Sequence, residues 1–193
     1  VADCGDNNAK RSSITLHFLD EPDPTVSSRQ RPDQTLIVVY PDGPRDCEAI
    51  AVDPHRDRII LVSKSAFPLA GVYQVPLPQR KSRLSREPVT APRVATLTVP
   101  MITATDIDQV NGDLWIVSYF QAFCFRCLDR DLPITRQLAR LPEPRELPRW
   151  KQIESIAVDQ SHGVWVTSEG SPTPMGRLAE PQRPEPERPD PFR

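Results

Sequence analysis

The sequence predicts an all-β chain folded as a β-propeller, a partial ring of about 3.5–4 four-stranded antiparallel blades. Three observations predict it. One hairpin plan recurs along the chain with a period of about 50 residues, the spacing of a propeller blade. The apolar runs are too short, and the breakers between them too frequent, for helices. After each hairpin the chain supplies further strand-like pieces.

The hairpins are Glu48 to Ser63 (E-A-I-A-V-D-P-H-R-D-R-I-I-L-V-S), Thr103 to Ser118 (T-A-T-D-I-D-Q-V-N-G-D-L-W-I-V-S) and Glu154 to Thr167 (E-S-I-A-V-D-Q-S-H-G-V-W-V-T). Asp53, Asp108 and Asp159 fall in register at the end of each first run, and Gly112 and Gly163 mark the turn. Those three Asp residues are expected to cap turn amides. A β-sandwich also has short strands, but it lacks this recurrence.

Taken in order, Val1-Ala2-Asp3 aligns with Val62-Ser63-Lys64 and Val117-Ser118-Tyr119, so residues 1–46 read as the end of a first blade, with later strands at Ile14–Phe18 and Leu36–Tyr40. Blade two covers 47–100, with Gly71–Leu77 and Arg93–Val99 as its third and fourth strands. Blade three covers 101–152, continuing through Gln121–Arg126 and Ile134–Leu141. Blade four covers 153–178 and holds a third strand at Met175–Leu178. Propellers have four to eight blades, so a fragment of a larger ring is expected. Residues 179–193, A-E-P-Q-R-P-E-P-E-R-P-D-P-F-R, read as a Pro-rich, extended or disordered tail, since they can bury little apolar surface.

Composition narrows the function classes. The 193 residues suffice for one sizeable domain, and 24 basic against 26 acidic residues give a net charge of −2. Basic residues are scattered rather than striped, which argues against a nucleic-acid partner. No run of about 20 apolar residues is present, so no helical membrane span is expected. No signal peptide is visible within the chain.

The segments G-D-N-N-A-K-R (Gly5 to Arg11), Y-P-D-G-P-R-D-C-E-A-I-A-V-D-P (Tyr40 to Pro54), T-A-T-D-I-D and I-E-S-I-A-V-D…V-T-S-E-G together resemble a family of bacterial, often exported, mostly uncharacterised propeller proteins. The likeness runs over nearly all of residues 1–178. It implies a six-bladed type of ring and an exported, periplasmic or extracellular location, but no settled activity.

A hairpin returns its chain to the side it left. Glu48 with Lys64, Thr103 with Tyr119, and Glu154 with Ser168 therefore share one rim, joined by Asp3, Asp6, Asn7 and Asn8 of blade one. This ring of carboxylates, amides and hydroxyls suits a polar small molecule or a hard cation such as calcium, which takes six to eight oxygens. Ligand-binding candidates are Glu48, Lys64, Thr103, Asp106, Tyr119, Glu154 and Arg11; cation candidates are Asp3, Asp6, Asn7 and Asn8. The structural reading stands beside the functional one, because carboxylates at strand starts also hold backbone amides. Asp106 departs from the repeat and would have to find partners if buried.

Nucleophilic catalysis is disfavoured. His55 and His162 lie in turns opposite the acidic rim and His17 lies in a third strand, all beyond the ~3 Å reach of a base on a rim nucleophile. A binding propeller is the first expectation. A metal-assisted hydrolase of the lactonase, phytase or esterase kind is the alternative, because such chemistry needs no His. Cys4 lies at the rim end of blade one and Cys47 at the rim start of blade two, so neighbouring blades could bring them within bridging distance, and a bridge would fit export; free thiols are the other reading. Cys124 and Cys127 are expected to be packed thiols. Trp115, Trp165, Tyr119 and Phe120 read as packing, and Trp150 as a loop anchor or a rim residue.

Overall fold

A computed structural model describes residues 1–79 and 87–179. It shows an all-β protein whose strands form four sheets of three or four strands each, with one short helix among the described residues. The tail expected at 179–193 lies, apart from Ala179, outside the described residues.

The first sheet holds β1 (Ala2–Asp3), β2 (Ile14–Phe18) and β3 (Gln34–Val39) in antiparallel order. Its fourth member is β7 (Val89–Thr90), which pairs parallel to β3. The second sheet runs β4 (Cys47–Asp53), β5 (Arg58–Ser63), β6 (Ala70–Pro76) and β8 (Arg93–Leu97). The third runs β9 (Ile102–Ile107), β10 (Leu114–Ser118), β11 (Ala122–Phe125) and β12 (Glu143–Arg145). The fourth runs β13 (Ile153–Val158), β14 (Val164–Ser168) and β15 (Met175–Arg177).

Three apolar cores lie between successive sheets, and the strands show why. Side chains alternate across a strand. In β5, Ile59 and Leu61 enter the core shared with the first sheet, whereas Ile60 and Val62 enter the core shared with the third. In β10, Leu114 and Ile116 face the second sheet, and Trp115 and Val117 face the fourth. A strand covered on both sides needs an unbroken apolar run, which is what I-I-L-V and L-W-I-V supply. The outer sheets use one face only: Ile14 and Leu16 of β2, and Val164 and Val166 of β14, are buried, and the residues between them are partly exposed. The first strands of the later sheets stand in a row, β4 against β9 and β9 against β13.

Three expectations need correction. The run at Ile134–Leu141 is not a strand; Ile134–Leu138 forms the helix α1. Ile134 and Leu138, one turn apart, join the core, and the buried Gln137 donates Nε2 hydrogen bonds to the Gly112 carbonyl at 3.0 Å and the Phe125 carbonyl at 2.6 Å. The fourth strand of that sheet is instead the short β12. The parallel β3–β7 pair departs from the antiparallel pattern, since β7 comes from the connection between β6 and β8 and closes on the first sheet. Phe120 is 71% exposed rather than packed. Trp150, by contrast, is a loop anchor: it is partly buried against the third core, and a methyl added to Gly176 would meet its ring at 2.9 Å.

Candidate functional site

The rim residues are aimed by one repeated irregularity. In β4, Cys47 pairs with Ser63 and Ala49 with Val62, which leaves Glu48 unpaired. In β9, Ile102 pairs with Ser118 and Ala104 with Val117, which leaves Thr103 unpaired. In β13, Ile153 pairs with Ser168 and Ser155 with Thr167, which leaves Glu154 unpaired. Each is the extra residue of a β-bulge at the same place in its sheet. Bulges bend the strand and redirect a side chain, and they are common beside binding sites. The backbone repeats there too: the amides of Lys64, Tyr119 and Glu169, each one residue past its second strand, donate to the carbonyls of Asp46, Met101 and Gln152 at 2.8, 3.2 and 3.1 Å. Met101 and Gln152 both take a left-handed conformation, with φ of 55° and 50°, which costs a non-glycine residue energy and is held by the surrounding bonds.

Four of the expected residues meet. Lys64 Nζ donates to Glu48 Oε2 at 2.6 Å and to the Tyr119 hydroxyl at 2.9 Å. The Lys64 and Glu48 side chains are 12% and 27% exposed. Burial by itself would favour neutral Lys64, but the hydrogen bonds with Glu48 and Tyr119 outweigh it and hold its pKa above the ordinary lysine range. Glu154, on the next sheet, is shifted upward by burial, and the Tyr119 hydroxyl and the Lys64 charge only partly counter that. The rim therefore presents a cation, a hydroxyl and two carboxyls in unlike environments, contributed by three sheets.

The other expected residues are placed differently. Thr103 is 1% exposed, and its hydroxyl donates to the Ile153 carbonyl at 2.8 Å, tying the third sheet to the fourth. Asp106 makes the same kind of tie: its carboxylate accepts the amides of Ile107 and Val158, both at 2.8 Å, while burial raises its pKa. Arg11 grips Asp3 with both terminal nitrogens, at 2.7 and 2.8 Å. Asp6 accepts the Arg11 amide at 2.7 Å and donates its own amide to Asp46 Oδ1 at 2.7 Å. Asn7 and Asn8 are exposed turn residues. This first-sheet loop touches the rim through Asp46, whose carbonyl receives the Lys64 amide. Among the described residues no three of His, Cys, Asp and Glu gather in metal-ligating geometry.

At the opposite ends of the hairpins, Asp53, Asp108 and Asp159 accept turn amides, of Arg56, of Val110 and Asn111, and of Ser161 and Gly163. Asp108 also receives His162 Nδ1 at 2.6 Å from the next sheet. Sequence reasoning placed His162 in this turn but not its carboxylate partner. The only signal was a histidine at the turn of one repeat and the register Asp of its neighbour. The four cysteines are free thiols; Cys4 and Cys47 lie in one core, and burial pushes Cys124 up to about 12. No protein-family model matches the chain, and a search of curated proteins finds no match either. Among the described residues no helix is long and apolar enough to cross a membrane.

Proposed function

We propose that the four sheets are blades of a β-propeller and that the rim formed by Glu48, Lys64, Tyr119 and Glu154 binds a polar, hydroxylated small molecule. The blade reading is supported by first strands standing side by side and by a core between every successive pair of sheets. It also accords with the resemblance to exported propeller proteins, and an exported location is proposed on that basis alone. The observation that carries the binding reading is the bulge repeated at Glu48, Thr103 and Glu154. It turns two acids toward Lys64 and Tyr119 rather than into the ladder.

The chemistry favours hydroxyl groups. Lys64 Nζ only donates, the carboxylates accept, and the Tyr119 hydroxyl does both. A ligand hydroxyl also does both, so neighbouring hydroxyls can take each group in turn. The cation reading is weaker for a physical reason: the Lys64 ammonium already sits 2.6 Å from Glu48, and the Arg11 guanidinium already holds Asp3. Each is a tethered cation where a calcium ion would find its ligands.

The metal-assisted hydrolase remains the second reading. It is favoured by two carboxyls at one end of the sheets, Glu48 paired with the Lys64 ammonium and Glu154 shifted upward by burial. Calorimetric titration of a panel of mono- and disaccharides and polyols separates the readings. Saturable binding that Tyr119→Phe and Lys64→Met weaken, with no ligand turnover, supports the binder. No binding by any member overturns it. Calcium-dependent ester or lactone cleavage that Glu48→Gln abolishes would establish the hydrolase.

A further inference from the structure

The turns of the third and fourth sheets, at the end away from Glu48, enclose a cleft of about 420 Å³. Arg126, Arg145, Arg177, His162, Asn111 and Ser161 line it. His162 occupies the left-handed region at φ 64°, which histidine enters more readily than most residues. The turn carries its Nδ1 to 2.6 Å from the buried carboxylate of Asp108. With Nδ1 engaged, Nε2 is the nitrogen left for another partner, and the side chain is 51% exposed.

The guanidiniums of Arg126 and Arg145 are held in place but retain donors. Arg126 donates to Asp113 at 2.7 Å and to Glu143 at 3.0 and 3.1 Å. Arg145 donates to Glu143 at 2.5 Å and to the Pro144 carbonyl at 2.9 Å, yet its buried Nε has no partner among the described residues. The acids facing His162 are Asp108, Asp113 and Asp159, and Glu143 stands beside the arginines. These four carboxylates balance three guanidiniums and a protonated His162. The charge of the cleft is therefore most favourable to an anion when the imidazole is protonated.

We propose that this cleft binds the phosphate group of a small phosphorylated molecule, with Arg126, Arg145 and protonated His162 as donors. Donors converge from β12, from the chain after β11 and from the β13–β14 turn. A tetrahedral oxyanion accepts from several directions at once, whereas a planar carboxylate is satisfied by one guanidinium fork. The site is separate from the Glu48 rim and stands whether or not that rim binds a ligand.

Calorimetric titration of inorganic phosphate and pyrophosphate into the full chain tests the site, at about pH 6 and about pH 8.5 in a buffer free of phosphate. Binding is expected at both values. The ligand gains charge between them, with a second phosphate pKa of about 6, but it does so equally for both proteins, so the affinity lost in His162→Asn is the readout and should be greater at the lower pH by about fivefold or more. Arg145→Met should weaken binding by about tenfold. Glu48→Gln, at the other end, should change neither. His162→Asn lies at the surface and decides the matter by itself if Arg145→Met does not fold. No saturable binding of either ion, an affinity loss in His162→Asn that is the same at both pH values, or citrate binding as tightly as pyrophosphate overturns the proposal.

Discussion

Glu48 and Glu154 occupy the same place in two different sheets: each is the one unpaired residue of a bulge in a first strand, and Lys64 and Tyr119 stand between them. The pair is brought together by a backbone irregularity rather than by a motif. The extra residue breaks the strict alternation of the strand, so a position that alternation alone would assign to a packed face delivers its side chain to the rim. Acids about a hundred residues apart thereby share one ammonium and one hydroxyl.

Lys64→Met leaves Glu48 without its ammonium in a partly buried setting. It is expected to lower stability by about 1–3 kcal/mol, the range for losing a charged hydrogen-bond partner, and toward the lower end because Glu48 is 27% exposed. Urea unfolding checks this. Glu48→Gln with Lys64→Met should recover part of the loss, since neither charge is then stranded. No recovery in the double variant would show that the pair is not coupled.

Lys64→Gln also tests the tethered-cation idea. With the ammonium gone, Glu48 and Glu154 are two carboxyls with no counter-charge between them. Millimolar calcium is expected to raise the Tm of this variant more than that of the unmodified protein, by mass action on the folded state. Equal shifts in both proteins would mean that Lys64 does not stand in for a cation.

Glu154 has a folded pKa raised above its ordinary value of 4.5 by burial. The folded state therefore holds its proton more tightly than the unfolded chain. Its contribution to stability is most favourable below 4.5 and declines as pH rises through the folded value. Glu154→Gln should flatten that decline in urea midpoints measured across the acid range. A slope unchanged by the substitution would place its origin elsewhere.

The His162–Asp108 pair acts at higher pH. Its hydrogen bond with Asp108 raises the imidazole above its ordinary value of 6.5. The stabilisation is complete below 6.5 and is lost as pH rises through the raised value. Asp108 contributes at the acid end: burial opposes its charge, but His162 and the amides of Val110 and Asn111 outweigh that and lower its pKa. Its share is present above 3.8 and lost as pH falls through the lowered value. NMR titration of the His162 ring should show the raised midpoint, and Asp108→Asn should return it toward the ordinary range.

Asp106→Ala removes the carboxylate that accepts the Val158 amide across two sheets. A loss of about 1–3 kcal/mol is expected from the stranded amides. Gly112→Ala should cost about 1–2 kcal/mol for a different reason, the left-handed φ of 82° at the β9–β10 turn. Thermal melts of both variants, compared with the exposed Phe120→Ala as a neutral reference, check the two mechanisms.

The hairpins were legible because their signal is local. The runs I-I-L-V, L-W-I-V and V-W-V-T, bounded by turn residues, read as strands; that the first two are covered on both faces and the last on one came from the sheets packed against them. The helix at Ile134–Leu138 was misread as a strand because five residues show too little period to tell the two apart. The β3–β7 pair was invisible, since two residues closing on a distant sheet leave no pattern in the chain.

At the rim, the register of the repeats placed Glu48, Thr103 and Glu154 at one end, because equivalent positions in equivalent hairpins must lie alike. What each does was settled only by packing. Thr103 is spent on the Ile153 carbonyl, Asp106 on the Val158 amide and Arg11 on Asp3, whereas Lys64 and Tyr119 reach across sheet boundaries to join the two acids. The amino-acid sequence alone determined the β class, the repeated hairpin and the end of each hairpin where the polar residues gather, since these depend on neighbours along the chain. Only the tertiary structure decided which polar groups are consumed by neighbouring sheets and which face solvent, and it alone brought His162 to Asp108. Both depend on distances between sheets, which no local pattern encodes.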